Sequence, residues 1–216
     1  MDDTGRAAGL GLLAYGIGTP LAFISIGSPG GDFSDQVITT DMSSWHWPTA
    51  ITLAYLGAFA AMGLLVFANR MRRELDSAGA ALWGLAVAAT AAGVIGWFLV
   101  GGIAVAFAEG GQPLAEVPHP VVYMVSEMSN LVAVCCSAFF VGAVALVLAA
   151  KATLPRWLRG ASYVAGPCGL LAAFFFPLFL SWLWAIAFGV WALTTAARPQ
   201  GAAAGGDRLN AAQRSS

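Results

Sequence analysis

Long apolar runs dominate this chain, and they restrict its fold more than any other feature. A helix that crosses a hydrocarbon layer about 30 Å thick needs roughly 20 consecutive apolar residues. Runs of that kind lie at about 7–28, 49–69, 80–106 and 121–150, followed by a longer apolar stretch over 161–197. The charge content agrees. Only 10% of the 216 residues are charged, whereas a soluble domain carries about 25% to face water. The pattern predicts an all-α polytopic membrane bundle.

The stretch ASYVAGPCGLLAAFFFPLFLSWLWAIAFGVWALTTAAR exceeds one ordinary span. Pro177 sits near its middle, where proline removes a backbone bond and clashes with the preceding turn. Two short spans, about 161–176 and 179–197, fit better than one kinked helix. Charge favours the same count. Arg6, Arg70, Arg72, Arg73, Lys151, Arg156, Arg159, Arg198, Arg208 and Arg214 all fall on one side if there are six spans. Five spans would put the last three on the other side. Basic residues prefer the cytoplasmic side of short loops. The expectation is six transmembrane helices with N- and C-termini cytoplasmic, in the cell's plasma (inner) membrane. The first run is longer than the 7–15-residue apolar region typical of a signal peptide, and no A-x-A site follows it, so it reads as a span.

One domain, 1–197, therefore holds all six spans. The tail, 198–216, is Ala/Gly-rich and lacks apolar periodicity, which predicts a disordered cytoplasmic segment. The first outer loop, PGGDFSDQVITTDMSSWHWP, carries enough apolar residues to lie on the membrane face. Asp32, Asp35, Asp41, Glu109 and Glu116 make the outer side acidic. Exclusion of cations by topology accounts for that without a cation-binding role. Pro48 and Pro120 mark helix starts, where a missing N–H costs nothing.

Gly84, Ala88, Ala92 and Gly96 recur every four residues in the third run. Between helices in lipid there is little hydrophobic drive, so small side chains that admit close backbone contact mark packing seams. Gly9, Gly11, Gly16 and Gly18 play the same part in the first run. Such seams serve within one chain or between copies.

In the fourth run, VVYMVSEMSNLVAVCC, Glu127 is the one ionisable acid or base inside an apolar span. At 100° per residue, Tyr123, Ser126, Glu127, Asn130 and Ser137 share about 100° of arc, and Ser129 falls outside it. Intramembrane acids face the bundle interior and mark proton or ion paths, which makes Tyr123, Ser126, Glu127 and Asn130 the candidate polar site. A second account stays open. The run of 121–150 is about 45 Å of helix, longer than the hydrocarbon layer, so register alone can slide Glu127 to the interface.

Other chemistry is thin. His46 and His119 are both placed outside, with no H-x-x-x-H spacing, and make only weak metal candidates. Cys135, Cys136 and Cys168 read as buried free thiols that behave as small hydrophobes. No P-loop, H-E-x-x-H or G-x-S-x-G motif occurs, nor a basic aromatic patch for nucleic acid. No cofactor is expected.

The layout resembles small six-pass membrane proteins of unknown function common in actinobacterial genomes. The likeness spans about residues 7–197: ANRMRREL after the second run, LPRWLRGASYVAG before the fifth, and FPLFLSWLWAIAFGVWAL at the end. LPRWLRGAS is its most specific piece. The resemblance implies no reaction and assigns no residue a role. The expected function is a non-enzymatic membrane component (subunit, scaffold or sensor) that meets the bilayer and a second copy or another membrane protein. The alternative is a small-molecule or proton-coupled transporter using Glu127.

Overall fold

The computed structural model describes residues 3–26, 47–109, 118–151, 154–174 and 177–196. Every regular element among them is helical: α1 (Asp3–Ile26), α2 (Trp47–Glu74), α3 (Asp76–Glu109), α4 (His119–Lys151), α5 (Arg156–Leu170) and α6 (Leu178–Ala196), with a 3-10 turn at Ala172–Phe174. The first outer loop with His46, and the tail 198–216, lie outside the described residues. Five helices are long and apolar enough to cross a membrane, through Gly5–Ser25, Pro48–Glu74, Ser77–Ala106, Met124–Lys151 and Leu178–Thr195. The 15 residues of α5 amount to about 22 Å of helix, short of a hydrocarbon layer.

The helices close into a ring. α1 packs against α2 and α6, α3 against α2 and α4, and α5 against α4 and α6. Close approaches fix their directions. Gly11 meets Gly63 while Gly18 meets Ala60, so α1 and α2 run antiparallel. Gly9 meets Gly189 and Gly16 meets Trp182, which sets α6 antiparallel to α1. Gly57 against Trp97 and Gly101 against Ala54 reverse α3 on α2, and Gly166 against Leu146 with Gly169 against Ala138 reverse α5 on α4. Six alternating helices bring the start of α1 and the end of α6 to one end of the bundle. Arg6, Arg70, Arg72, Arg73, Lys151, Arg156 and Arg159 all stand at that end, and no lysine or arginine among the described residues stands at the other.

The α2–α3 connection shows how closely the chain is folded there. Only Leu75 separates the two helices, and the Leu75 N–H still donates to Met71 O at 3.0 Å. A Cβ on Gly79 would come within 2.8 Å of Arg72 Cα, so a residue without a side chain is required for the chains to cross. Arg72 then lies 5.8 Å from the Trp83 ring centre, a cation–π distance.

The apolar stretch over 161–197 is two helices, as Pro177 suggests, but its first half is shifted. The expected span was 161–176, whereas α5 begins at Arg156, directly after Pro155 with φ −59°. It ends with Leu171 N–H donating to Pro167 O at 2.9 Å. Helix therefore includes RWLRG, because α5 is two-faced: Leu158, Ser162, Ala165, Gly166 and Gly169 are buried, while Arg156, Trp157 and Arg159 face out.

The small-residue stripe of α3 also divides. Of the four positions, Gly96 packs on α4, its Cα hydrogens against Ser129 O and Ala133. Ala92 is half-buried, and Gly84 and Ala88 face outward. A strict four-residue repeat advances about 40° at each step, so the stripe turns by about 120° from Gly84 to Gly96. The face that α3 spends inside the bundle is instead Ala86, Ala89, Thr90, Trp97, Val100 and Ala104.

Candidate functional site

Helix α4 carries the polar residues, and its neighbours decide which of them are enclosed. Ser126 is 3% exposed and Asn130 2% exposed, while Glu127 between them is half-buried. The structure thus brings Ser126 and Asn130 into the interior, with Glu127 at its margin. The side chain of Tyr123 lies outside the described residues. Ser129 is buried as well, although it falls outside the arc drawn from the sequence. Its backbone carbonyl lies in the contact with Gly96 of α3, and its Oγ donates to Val125 O at 2.7 Å. The interior face of α4 is wider than a single stripe here because α3 packs closely on that side of it, with Gly96 against Ser129 and Ala133.

A second polar contact lies deeper. Tyr15 of α1 and Ser137 of α4 are both fully buried, and the Tyr15 hydroxyl donates to Ser137 Oγ at 3.2 Å. Ser137 Oγ in turn donates to Val134 O at 2.8 Å. This pair joins α1 to α4 across the ring, a contact between helices that are not neighbours around it. Near the basic end, buried Ser162 of α5 accepts from Trp184 Nε1 of α6 at 2.8 Å and donates to Leu158 O at 2.8 Å.

Among the described residues, Thr19 Oγ1, Trp97 Nε1 and Asn130 Oδ1 are buried with no hydrogen-bond partner, and the buried Trp182 Nε1 has only a weak contact with the Tyr15 hydroxyl. They come from α1, α3, α4 and α6. Helix register sets them at one depth. Gly18 meets Ala60, Gly57 meets Trp97, Gly96 meets Ser129 and Ala133, and Gly16 meets Trp182. These contacts level Thr19, Trp97, Asn130 and Trp182 within about one helical turn. Trp182 is held there between Phe23 and Phe179, with ring centres 6.0 Å and 5.3 Å away. On the same register Glu127 stands about level with the first turn of α6.

The wall of the bundle changes at that depth. Gly169 packs on Ala138 and Gly142, so α5 ends near Ala138, eight residues and about 12 Å short of Asn130. Just beyond that end, Ala172–Phe174 form a 3-10 turn that touches α4 and α6. Toward the basic end the polar layer is backed by six helices, whereas α5 does not reach its depth.

Among the described residues no three His, Cys, Asp or Glu side chains gather into a metal-binding group. His119 opens α4 and its side chain is outside the described set. Cys135, Cys136 and Cys168 are free thiols, each half-buried. Ser181 is buried, its hydroxyl donating to Leu178 O at 2.7 Å. Sequence periodicity misses Thr19, Trp97 and Trp182 as members of a polar layer, since each stands alone in an apolar run. Comparison with family models, curated proteins and solved structures returns no match, so no residue takes a role from a relative.

Proposed function

We propose that the protein is a six-span component of the cell's plasma membrane with both termini cytoplasmic, one that associates with another membrane-embedded helix and catalyses no reaction of its own. The gathering of every described basic residue at one end supports that orientation, since such residues are retained on the cytoplasmic side. On this reading the short α5 and the segment after it together make the fifth crossing.

The observation that carries the functional reading is the outward face of α3. Gly84 and Gly102 stand 18 residues apart on one side of that helix, and neither has an atom within 4 Å of where a Cβ would sit. Ala88 and Ala91 are exposed between them. Glycine in a helix costs about 0.5–1 kcal/mol relative to alanine, and among the described residues nothing at these two positions offsets it. A partner helix with small residues at the contact would approach closely there, the way membrane helices associate. Gly84→Leu and Ala88→Leu should weaken a co-purifying complex while leaving the folded monomer intact. Unchanged complex size in both variants would count against the reading.

The topology has its own test. A cysteine placed at Ser216, in a chain freed of native thiols, should resist an impermeant thiol reagent in intact cells. Labelling there would mean five crossings.

One observation favours a transporter instead: Ser126 and Asn130 are enclosed on either side of Glu127. On that reading Glu127 carries a proton or cation into the bundle, and Glu127→Gln abolishes uptake while insertion is unaffected. A Gln variant with full uptake would sink it.

A further inference from the structure

We propose that the outer face of α5 seats one anionic phospholipid, its phosphate at Arg156 and Arg159 and an acyl chain along Gly160, Tyr163 and Val164. The proposal rests on the bundle lying in a bilayer with its basic end at the headgroups, and not on the partner helix assigned to α3.

The face has a charged end and an apolar end. At 100° per residue, the exposed Arg156, Trp157, Arg159, Gly160, Tyr163 and Val164 cover about 160° of the helix. The buried residues of α5 fall on the opposite side. Both arginines stand in the first turn, and Tyr163 and Val164 lie about 10 Å further along the axis. Trp157 shares the first turn and is 57% exposed, and an exposed indole suits the boundary between headgroups and hydrocarbon. Gly160 lies between the two levels, with no atom within 4 Å of where a Cβ would sit. The face is therefore notched where charge gives way to apolar side chains.

Charge balance sets this corner apart from the rest of the basic end. On α2, Arg70 donates to Glu74 at 2.7 Å, and Arg72 stands over Trp83. Around α5 no such acid is at hand, because no Asp or Glu occurs in the chain between Glu127 and Asp207. Lys151 adds to the positive field. Gly142 meets Gly169 and Leu146 meets Gly166 across the α4–α5 contact, and the same antiparallel register brings Lys151 level with the turn around Arg159.

That charge is complementary to a phosphodiester, which arginine grips through its planar fork. The anionic lipids of a cytoplasmic leaflet carry this group and draw basic residues to the surface. The apolar half of the face names the source. Free phosphate would use the arginines alone, whereas a phospholipid uses the arginines and the notch below them together.

Native mass spectrometry of the full chain tests this, with release from neutral-detergent micelles doped with equal phosphatidylglycerol and phosphatidylcholine of identical acyl chains. One phosphatidylglycerol should be retained about tenfold more strongly than phosphatidylcholine, as two cations at an anionic headgroup imply. Equal retention overturns the proposal. The double variant Arg156→Gln, Arg159→Gln should remove the preference, while Arg73→Gln, which neutralises an exposed cation on α2, should keep it. An equal loss in both would mean diffuse surface charge and no site. Gly160→Leu keeps every charge and adds its side chain in open space, so it reads the notch without disturbing the fold. It should weaken retention of phosphatidylglycerol several-fold, and unchanged retention would overturn the seat for the acyl chain. Glycerophosphoglycerol, the same headgroup without acyl chains, should fail to displace the bound lipid when added in excess. Displacement would make this a phosphate site and overturn the lipid. Thiol labelling at Ser216 and complex size in Gly84→Leu read the topology and the α3 partner separately, so failure of either is distinct from loss of lipid.

Discussion

The Tyr15 hydroxyl reaches from α1 across the ring to Ser137 Oγ on α4, 3.2 Å away, with both side chains fully enclosed. Removing either end of this bond has unequal consequences. Tyr15→Phe leaves the Ser137 hydroxyl donating to Val134 O, so the donor facing it keeps a partner. Its cost should be about 0.5–1 kcal/mol, typical of a net hydrogen bond in a membrane protein. Ser137→Ala removes the acceptor of the fully buried Tyr15 O–H and should cost about 1–3 kcal/mol. Unfolding of the two variants in mixed detergent micelles measures both. An inverted order would mean that the Tyr15 hydroxyl has a second acceptor.

Ser162 serves a more local purpose. It holds the short α5 to α6 by accepting from Trp184 Nε1. Trp184 belongs to an aromatic row in which Phe188 lies 5.1 Å from it and 5.7 Å from Phe67 of α2. Ser162→Ala keeps that row but leaves the indole N–H unpaired. The expected result is faster amide hydrogen exchange in α5, by about tenfold for a loss near 1.4 kcal/mol, with α2 and α3 unchanged. Uniform acceleration across the bundle would show that α5 opens only with the whole fold.

Much of this architecture can be read from the residues, and the parts that cannot share one cause. The apolar runs give the helices because length and hydropathy are local properties, and Pro177 marks its break for the same reason. α5 is displaced by five residues because Arg156, Trp157 and Arg159 look like a loop to any count of hydropathy, though they form the outer face of a helix. Periodicity alone does not show that Ser129 is enclosed, or that the Gly84–Gly96 stripe divides between two faces, since which face is enclosed depends on where α2, α3 and α4 sit. The polar layer is further from view still. Thr19, Trp97 and Trp182 are unremarkable within their own runs, and only the register between helices sets them level with Asn130. Ser126 and Asn130 were visible because they share one helix face.

The α1–α2 contact offers the sharpest test of that register. Gly11 and Gly63 face each other backbone to backbone, and a Cβ on either would strike the other's carbonyl oxygen. A clash with backbone cannot be relieved by a rotamer change; the helices must separate. Gly63→Ala should therefore cost about 1–3 kcal/mol, the range for overpacking a close contact, despite the better helix propensity of alanine. Gly84→Ala is the matched control on α3, where the added methyl meets open space. There only the helix preference remains, so the monomer should gain about 0.5–1 kcal/mol. The two substitutions are chemically the same and opposite in predicted sign. Unfolding of both in the same detergent, at a concentration that keeps the protein monomeric, decides the matter. Destabilisation at Gly84 as large as at Gly63 would mean that the Gly84 face is covered in the folded chain, and α3 would have to be rotated in the ring.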